Sequence, residues 1–363
     1  MKKKILVGIH RAIHRKVDPE LQVYRKILKH NNIPYVDLDS SNINFWESLN
    51  DITHFLYKWS HAHSDHQIAN AIIPVIQYHK SIKCFPNWET SWHYDDKIKQ
   101  AYLLKENGFP VCDSFVFYHK EQALEWAKNV NLPVVFKLKS GSGSYNVLLI
   151  QSKRKIISLI NRMFGKGYNQ DSIGFFYRIK TYNYNLKKIF RYYGIKIRNR
   201  LIGRDAHPFW SIQKHYSLFQ KFMPNNTYDT RVQVTGKRAF AFVRYNRNND
   251  FRASGSNNWS LDHSKIDMRF VKMALEISQK LGFQSMAYDF IYDENRNPAI
   301  IEISYCYGDY PEFSTGYWDE NLMWHKGKYV PQYLELVDLL EKKDLIQPQD
   351  ICAASSYKDV KTN

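Results

Sequence analysis

Apolar positions follow two different periods along this chain. Near the N-terminus they form short runs, Lys4–Ile9, Ile33–Leu38, Ile52–Tyr57 and Ser81–Phe85, which read as buried strands. Between the first two, Asp18-Pro19-Glu20 supplies an N-cap, a first-turn proline and an early acid, and Leu21, Tyr24, Ile27 and Leu28 recur at helical spacing. Ser64–His79 reads as another helix, interrupted by Pro74. Strands alternating with helices predict a βαβ lobe with a parallel sheet over residues 1–90.

Residues 91–215 begin with a helix from Asp95 or Asp96 to Leu104, stopped by Asn107-Gly108 with Pro110 beyond. Ser114–Tyr118 reads as strand and Glu121–Lys128 as helix. Leu132–Lys139 is an apolar strand that runs into Ser140-Gly141-Ser142-Gly143-Ser144, and Asn146–Ile150 resumes as strand, so a hairpin with a flexible tip is expected. Further on, Ser217–Met223, Thr230–Thr235 and Ala239–Tyr245 are β-rich, with a Gly236-Lys237 turn. Asp267–Leu281 is a helix closed by Gly282. Met286–Tyr292 and Ala299–Ser304 are strands joined by a turn at Asp293–Pro298, and Pro331–Leu340 is the final helix. The expected division is 1–90, 91–215 with a basic insertion at about 151–210, 216–312, and a helical extension at 313–363. The class is α/β for the first lobe and α+β for the rest.

Composition narrows the function. Hydrophobic residues make up 44 % of 363, which excludes a mainly disordered chain. The four Cys lack pairing spacing, which excludes a disulfide scaffold and a Cys-rich zinc module. The apolar run Ile5–Ile9 is too short for a signal-peptide core, and no run approaches the ~18 apolar residues of a membrane span. A cytoplasmic protein is expected. Lys and Arg number 52 against 35 Asp and Glu, for a net charge of +17, so an anionic partner is expected: nucleic acid, nucleotide, acidic glycan or anionic membrane. From Trp126 to Arg204 the only acid is Asp171. Within that stretch Leu186, Ile189, Phe190, Ile197 and Leu201 recur among Lys187, Lys188, Arg191, Lys196, Arg198 and Arg200. This basic amphipathic segment, broken by Gly194, fits a peripheral contact with a membrane's inner face through 178–204, or equally a solvated helix face.

Three groups of residues carry candidate chemistry. Period 2 puts Asp289 on one face of its strand, and Glu302 with Ser304 on one face of the next. Two carboxylates facing one cleft are costly unless a cation lies between them, and oxygen donors suit Mg²⁺. Two solvated strand acids give the same pattern. Lys137 and Lys139 alternate with apolar neighbours just before the Gly/Ser loop, whose N–H groups are able to cover phosphates, though an ordinary turn has the same composition. Asp229-Thr230-Arg231, Arg244 and Asp250-Phe251-Arg252 supply arginines, the donors suited to charge on a transferring phosphoryl group; surface ion pairs are the alternative. There is no Walker A pattern, no G-x-G-x-x-G and no G-x-S-x-G elbow. His54, His61, His63 and His66 cluster; a polar loop is the reading preferred over a metal site.

The order of these pieces is more specific than any one of them. Asp96-Lys97, "FPVCDSFVF", "LPVVFKLKSGSGSYNV", "FQKFM", "YDTRVQVTGKRAFAFVR", "DFRASG" and "LGFQSMAYDFIYDENRNPAIIEIS" succeed one another over about residues 90–310. The series resembles the ATP-grasp superfamily, especially its ribosomal-protein-modifying glutamate ligase and glutathione-synthetase-like branch, and the ATP-grasp proteins encoded with bacterial surface-polysaccharide genes. The resemblance implies a pre-ATP-grasp lobe followed by two subdomains with ATP between them. It implies that Lys97, Lys137 and Lys139 meet the nucleotide, that the Gly141, Ser142, Gly143 and Ser144 loop closes over its phosphates, and that Gln220, Lys221 and Phe222 form the adenine hinge. Arg231 and Arg244 would steady the transferred phosphoryl, and Asp289, Glu302 and Ser304 would hold Mg²⁺, with Mn²⁺ as the substitute. The implied reaction joins a carboxylate to an amine through an acyl phosphate, on an anionic small molecule, glycan or peptide precursor.

Three departures stand out. Ser304 occupies a position where the family usually has Asn, Lys221 one where it usually has Glu, and Tyr305-Cys306-Tyr307-Gly308 replaces a Pro-Gly turn. They keep open a second reading, a catalytically degenerate nucleotide- or glycan-binding protein. Nucleic-acid binding ranks third.

Overall fold

The computed structural model describes residues 4–11, 19–59, 61–141, 146–169, 190, 194, 211–308, 313, 315–349 and 351. Three larger sheets organise them. The first is built from β1 (Val7–His10), β2 (Tyr35–Leu38), β3 (His54–Leu56) and β4 (Lys83–Phe85), in the order β2-β1-β3-β4 and wholly parallel, as the alternating pattern predicts. Helix Pro19–His30 buries Leu21, Tyr24, Ile27 and Leu28 against it. Helix His63–Pro74 runs on into a π-helical turn, Val75–His79, so the proline marks a change of winding inside the expected helix. The C-terminal helix Pro331–Leu340 has the predicted bounds and buries Leu336, Val337, Leu339 and Leu340 in the core of this first lobe.

The second sheet joins β5 (Ser114–Phe117), β6 (Val134–Lys137) and β7 (Val147–Ile150) to a later strand. Between them in sequence, β8 (Tyr168–Asn169) and β9 (Ile212–Gln213) form a small separate pair. β10 (Ser217–Lys221) then inserts between β5 and β6, giving the antiparallel order β5-β10-β6-β7. Helices Lys120–Asn129 and Lys153–Met163 contribute to its core. The second of these was not expected from sequence.

The third sheet comprises β11 (Tyr228–Thr235), β12 (Arg238–Tyr245), β13 (Trp259–Ser260), β14 (Ser285–Tyr292), β15 (Pro298–Ser304), β16 (Gly316–Trp318) and β17 (Trp324–Lys326). Its order is β15-β14-β11-β12-β16-β17, with β13 pairing on β12. Helix Met268–Leu281 is capped by the Asp267 carboxylate and ends at Gly282 in the left-handed region, φ +66°. It packs Phe270, Val271, Ala274 and Ile277 beneath the sheet. The basic segment 178–204 lies outside the described residues apart from positions 190 and 194. No helix among the described residues is long and apolar enough to cross a membrane.

Candidate active site

The second and third sheets face each other across a cleft of about 450 Å³. Lys97 enters it from the start of helix Lys97–Glu106. Asp96 caps that helix, its Oδ1 accepting from the N–H groups of Ile98 and Lys99 at 3.1 and 3.2 Å. The Lys97 ammonium lies 3.0 Å from Glu302 Oε1 and donates to the Gly141 carbonyl at 2.8 Å. On the other side of the same residue, the Gly141 N–H donates to Asp95 Oδ1 at 2.7 Å. Asp95 itself adopts φ +52°, an uncommon left-handed conformation for a non-glycine residue. The base of the glycine loop is thus held at both its N–H and its C=O.

Gly141 has φ +108°, and a Cβ there would meet Asn146 Nδ2 at 2.3 Å, while that amide donates to the Ser140 carbonyl. Gly141→Ala is therefore expected to strain the base of the loop and to weaken the binding of ATP, the nucleotide the sequence resemblance implies, by about 10-fold or more, as read by calorimetry. Unchanged affinity would show that the loop base does not support the nucleotide. Ser142, Gly143 and Ser144, the expected loop tip, lie outside the described residues.

Lys137, the last residue of β6, is buried and lines the cleft. Its ammonium donates to Gln220 Oε1 at 2.5 Å, and it has no ion-pair partner among the described residues. The two cleft lysines diverge. Burial lowers both, but Glu302 and Asp95 outweigh it at Lys97 and raise its pKa, whereas burial prevails at Lys137 and leaves it below the ordinary value. Lys139 does not join them. β6 ends at Lys137, with one further hairpin bond from the Leu138 N–H to the Asn146 carbonyl at 3.1 Å; the Lys139 ammonium turns towards Asp96, 3.7 Å away, and the Tyr216 ring.

Gln220, Lys221, Phe222 and Met223 line the cleft where β10 leaves the second sheet. Lys221 pairs with Glu294 at 3.1 Å. Opposite, β14 and β15 bring Asp289 and Glu302 into direct register, with a bulge between Asp289 and Phe290. Ser304 lies on the same face, and its hydroxyl donates to the Cys306 carbonyl at 2.9 Å. Arg231 grips Asp289 with two bonds, 2.7 and 2.8 Å. Arg244 binds Asp229 in the same two-pronged way and reaches Asp289 at 2.9 Å. Arg244 lies behind the cleft wall, so it holds the carboxylates in place and does not contribute to the lining. Arg252, to which sequence assigned no individual role, does line the cleft, anchored on Asp250 and donating to the Val147 carbonyl at 2.8 Å. His61, Tyr94 and Asp95 also line it and carried no sequence signal for this site. Among the described residues no three His, Cys, Asp or Glu groups cluster as a metal site; the expected polar loop is in part strand and helix, with His54 in β3 and His63 and His66 in helix His63–Pro74.

No family model matches the chain. A curated relative, the alpha-aminoadipate–LysW ligase LysX of Saccharolobus solfataricus, is 24 % identical over 237 residues, 64 % of this chain; the match spans 65 % of the relative's length. Among solved structures, the RimK-domain ATP-grasp protein of Sphaerobacter thermophilus aligns with TM-score 0.50 and 12 % identity over 82 % of this chain and 90 % of that one. The D-alanine–D-alanine ligase of Bacillus anthracis, solved with ATP, aligns with TM-score 0.50 and 11 % identity over 83 % and 86 %. The fold is the ATP-grasp fold. Two of these three proteins are ligases by name.

Proposed function

We propose that this protein is a Mg-ATP-dependent ligase that joins a carboxylate to an amine through an acyl phosphate. The observation that carries this reading is Lys137, a buried cation facing the cleft whose hydrogen-bond partner among the described residues is an amide oxygen, in a cleft that the Asp289–Glu302 pair also lines. A desolvated lysine in direct contact with a neutral amide, its acids acting from further off, is a costly arrangement that a bound anion relieves.

The donor set suits the nucleotide and the metal. Val135, Phe222, Ile291 and Ile301 offer apolar walls for a base, and the volume falls within the usual range of ligand pockets, about 300–1,000 Å³. Glu302 offers an oxygen beyond the one facing Lys97, Asp289 retains lone pairs beyond those used by the arginines, and the Ser304 hydroxyl adds a third donor. Mg²⁺ takes such oxygen sets together with phosphate oxygens and water, and when bound it neutralises the phosphate charge. In this reading Lys97, Lys137 and Lys139's neighbouring loop approach the phosphates, Gln220–Phe222 border the adenine, and Arg231 and Arg252 orient the transferred group. Arg244 contributes by fixing Asp289 and Asp229. Catalysis of this kind rests on positioning and charge neutralisation.

We read the acceptor as an anionic glycan or peptide precursor. The net charge of +17 and the near absence of acids between Trp126 and Arg204 support that, as they support contact of 178–204 with an anionic membrane surface. Incubation with Mg-ATP and a panel of uronates, amino sugars and free amino acids should release ADP and phosphate, with hydroxylamine trapping the activated carboxylate as a hydroxamate. Absence of turnover together with absence of ATP binding by calorimetry overturns the reading. Ser304 favours one alternative, a nucleotide-binding protein without turnover, because a hydroxyl is a weaker metal donor than an amide carbonyl. Tight ATP binding without phosphate release across the whole panel would select it.

A further inference from the structure

One wall of the cleft holds a dyad that phosphate and metal chemistry leave unused. His61 lines the cleft, its side chain about one-third exposed. Its Nδ1 edge faces two groups, Tyr94 Oη at 3.1 Å and Asp95 Oδ1 at 3.7 Å. The imidazole stacks on the Tyr94 ring, centroids 5.6 Å apart, and His66 stacks on that ring as well, at 5.2 Å. The opposite edge of His61, Nε2, has no hydrogen-bond partner among the described residues. Asp95 is almost wholly buried. Burial pushes its carboxyl up, but His61, Lys97 and the Gly141 amide outweigh that and hold it below the usual carboxylate range. Across the stack, burial lowers His66 to about 4, so at neutral pH it is an uncharged neighbour. The groups facing His61 are therefore Tyr94 and Asp95 from the segment before helix Lys97–Glu106, and His66 from helix His63–Pro74.

Contacts connect this dyad to the phosphate end of the cleft. His61 faces Asp95, Asp95 accepts from Gly141, Gly141 accepts from Lys97, and Lys97 pairs with Glu302. An imidazole whose Nδ1–H donates to Tyr94 Oη at 3.1 Å, with the Asp95 carboxylate 3.7 Å away favouring a proton on that edge electrostatically, presents a free Nε2 lone pair, the arrangement a general base requires. We propose that His61 is the general base for the acceptor amine, with Asp95 and Tyr94 as positioning residues, so that the acceptor enters on the N-terminal-lobe side of the cleft. This rests on the ligase reading. The amine nitrogen forms the new C–N bond to the activated acyl carbon. The bond from that carbon to the phosphate oxygen breaks; of the two protons an ammonium acceptor sheds, the first passes to His61 Nε2 before attack and the second leaves on the departing inorganic phosphate. The acceptor class this selects is a primary amine of ordinary basicity, which must shed a proton to become a nucleophile.

The test uses the full chain with ¹⁵N-labelled histidine. Long-range ¹H–¹⁵N correlation, with the His61 signal identified by its loss in His61→Gln, should place the neutral ring's proton on Nδ1. Asp95→Asn, which keeps an acceptor for the Gly141 N–H, should shift that preference. A proton resident on Nε2 in the wild type, or a tautomer indifferent to Asp95→Asn, overturns the proposal whatever the enzyme's substrate. In the turnover panel, His61→Gln should lower kcat for amine acceptors about 100-fold, leave the KM for ATP unchanged, and retain hydroxamate formation, because hydroxylamine is already uncharged at neutral pH. Equal loss with amines and hydroxylamine also overturns it. Failure of the ligase reading itself registers separately, as a wild type that shows no turnover across the panel, with or without ATP binding.

Discussion

Arg244→Leu is expected to destabilise the protein by about 3–5 kcal/mol, the usual consequence of leaving a buried charge without its partner. The Arg244 guanidinium lies between two carboxylates, making two bonds to Asp229 and one contact of 2.9 Å to Asp289, and all three side chains are over nine-tenths buried. A leucine fills much of the volume but leaves two buried acids to share Arg231. Their pKa values already diverge. Burial raises Asp229 despite Arg244, whereas Arg231 and Arg244 together overcome burial at Asp289 and push it well below the carboxylate range. A depressed carboxylate stabilises the fold above its unfolded value, about 3.9, and that stability is lost as pH falls towards the folded value. The Asp289 contribution should therefore be present at pH 7 and fade below about pH 4. Asp229 works in the opposite sense, since a raised carboxyl favours the fold on acidification. Urea unfolding at pH 7 and pH 3 measures both effects: the wild type should lose more stability on acidification than Arg244→Leu does. Adding Asp229→Asn to Arg244→Leu should recover part of the loss, because one unpaired charge is removed. Independent, additive effects would show that the three groups do not form one network.

The parts of this arrangement legible from sequence were those with a local period. Strand alternation located Asp289, Glu302 and Ser304 on one face because β14 and β15 are joined by the short Asp293–Pro298 turn, which leaves little freedom of register. Helix Pro331–Leu340 was legible from its first-turn proline and continuous apolar run, although its burial against the N-terminal lobe was not. Helix Lys153–Met163 was missed. Ile156, Leu159, Ile160 and Met163 recur at helical spacing, but Lys153, Arg154, Lys155 and Arg162 merged it with the basic stretch that follows. Lys139 was misplaced because alternation predicts a direction only while a strand stays paired. The His61–Asp95 dyad had no local signature as a pair, since His61 stood out only within a histidine cluster: it depends on a left-handed Asp95 and on a contact between the first lobe and the segment leading to the second sheet.

The fold also relocates the meaning of the net charge. Within and around the cleft most cations already have partners: Lys97 with Glu302, Arg231 with Asp289, Arg244 with Asp229, Arg252 with Asp250 and Lys221 with Glu294. The surplus is therefore not a property of these pairs. It supports the reading of an anionic partner met largely outside them, with Lys137 as the cleft cation whose described neighbour is an amide.

Glu302→Gln should lower turnover by about 10²–10³-fold, the scale of removing one key electrostatic group from an active site, while the fold stays intact. Glu302 is one-third exposed and pairs with Lys97 at 3.0 Å. Glutamine keeps an oxygen for that ammonium, and Asp95 remains as a second acid acting on it, so the urea midpoint should move little. The negative charge is what the substitution removes, and Mg²⁺ depends on charge as well as on oxygen donors. Two signals then separate a metal ligand from a structural acid. In calorimetry, ATP affinity measured without Mg²⁺ should be unchanged or slightly higher in the variant, because one anion near the phosphates is gone. The gain in affinity that Mg²⁺ confers should shrink. This comparison decides the assignment even for a protein that binds the nucleotide without turning it over. If Mg²⁺ strengthens ATP binding equally in both proteins, Glu302 serves to hold Lys97 against the glycine loop, and the metal contacts must be sought at Asp289 and Ser304.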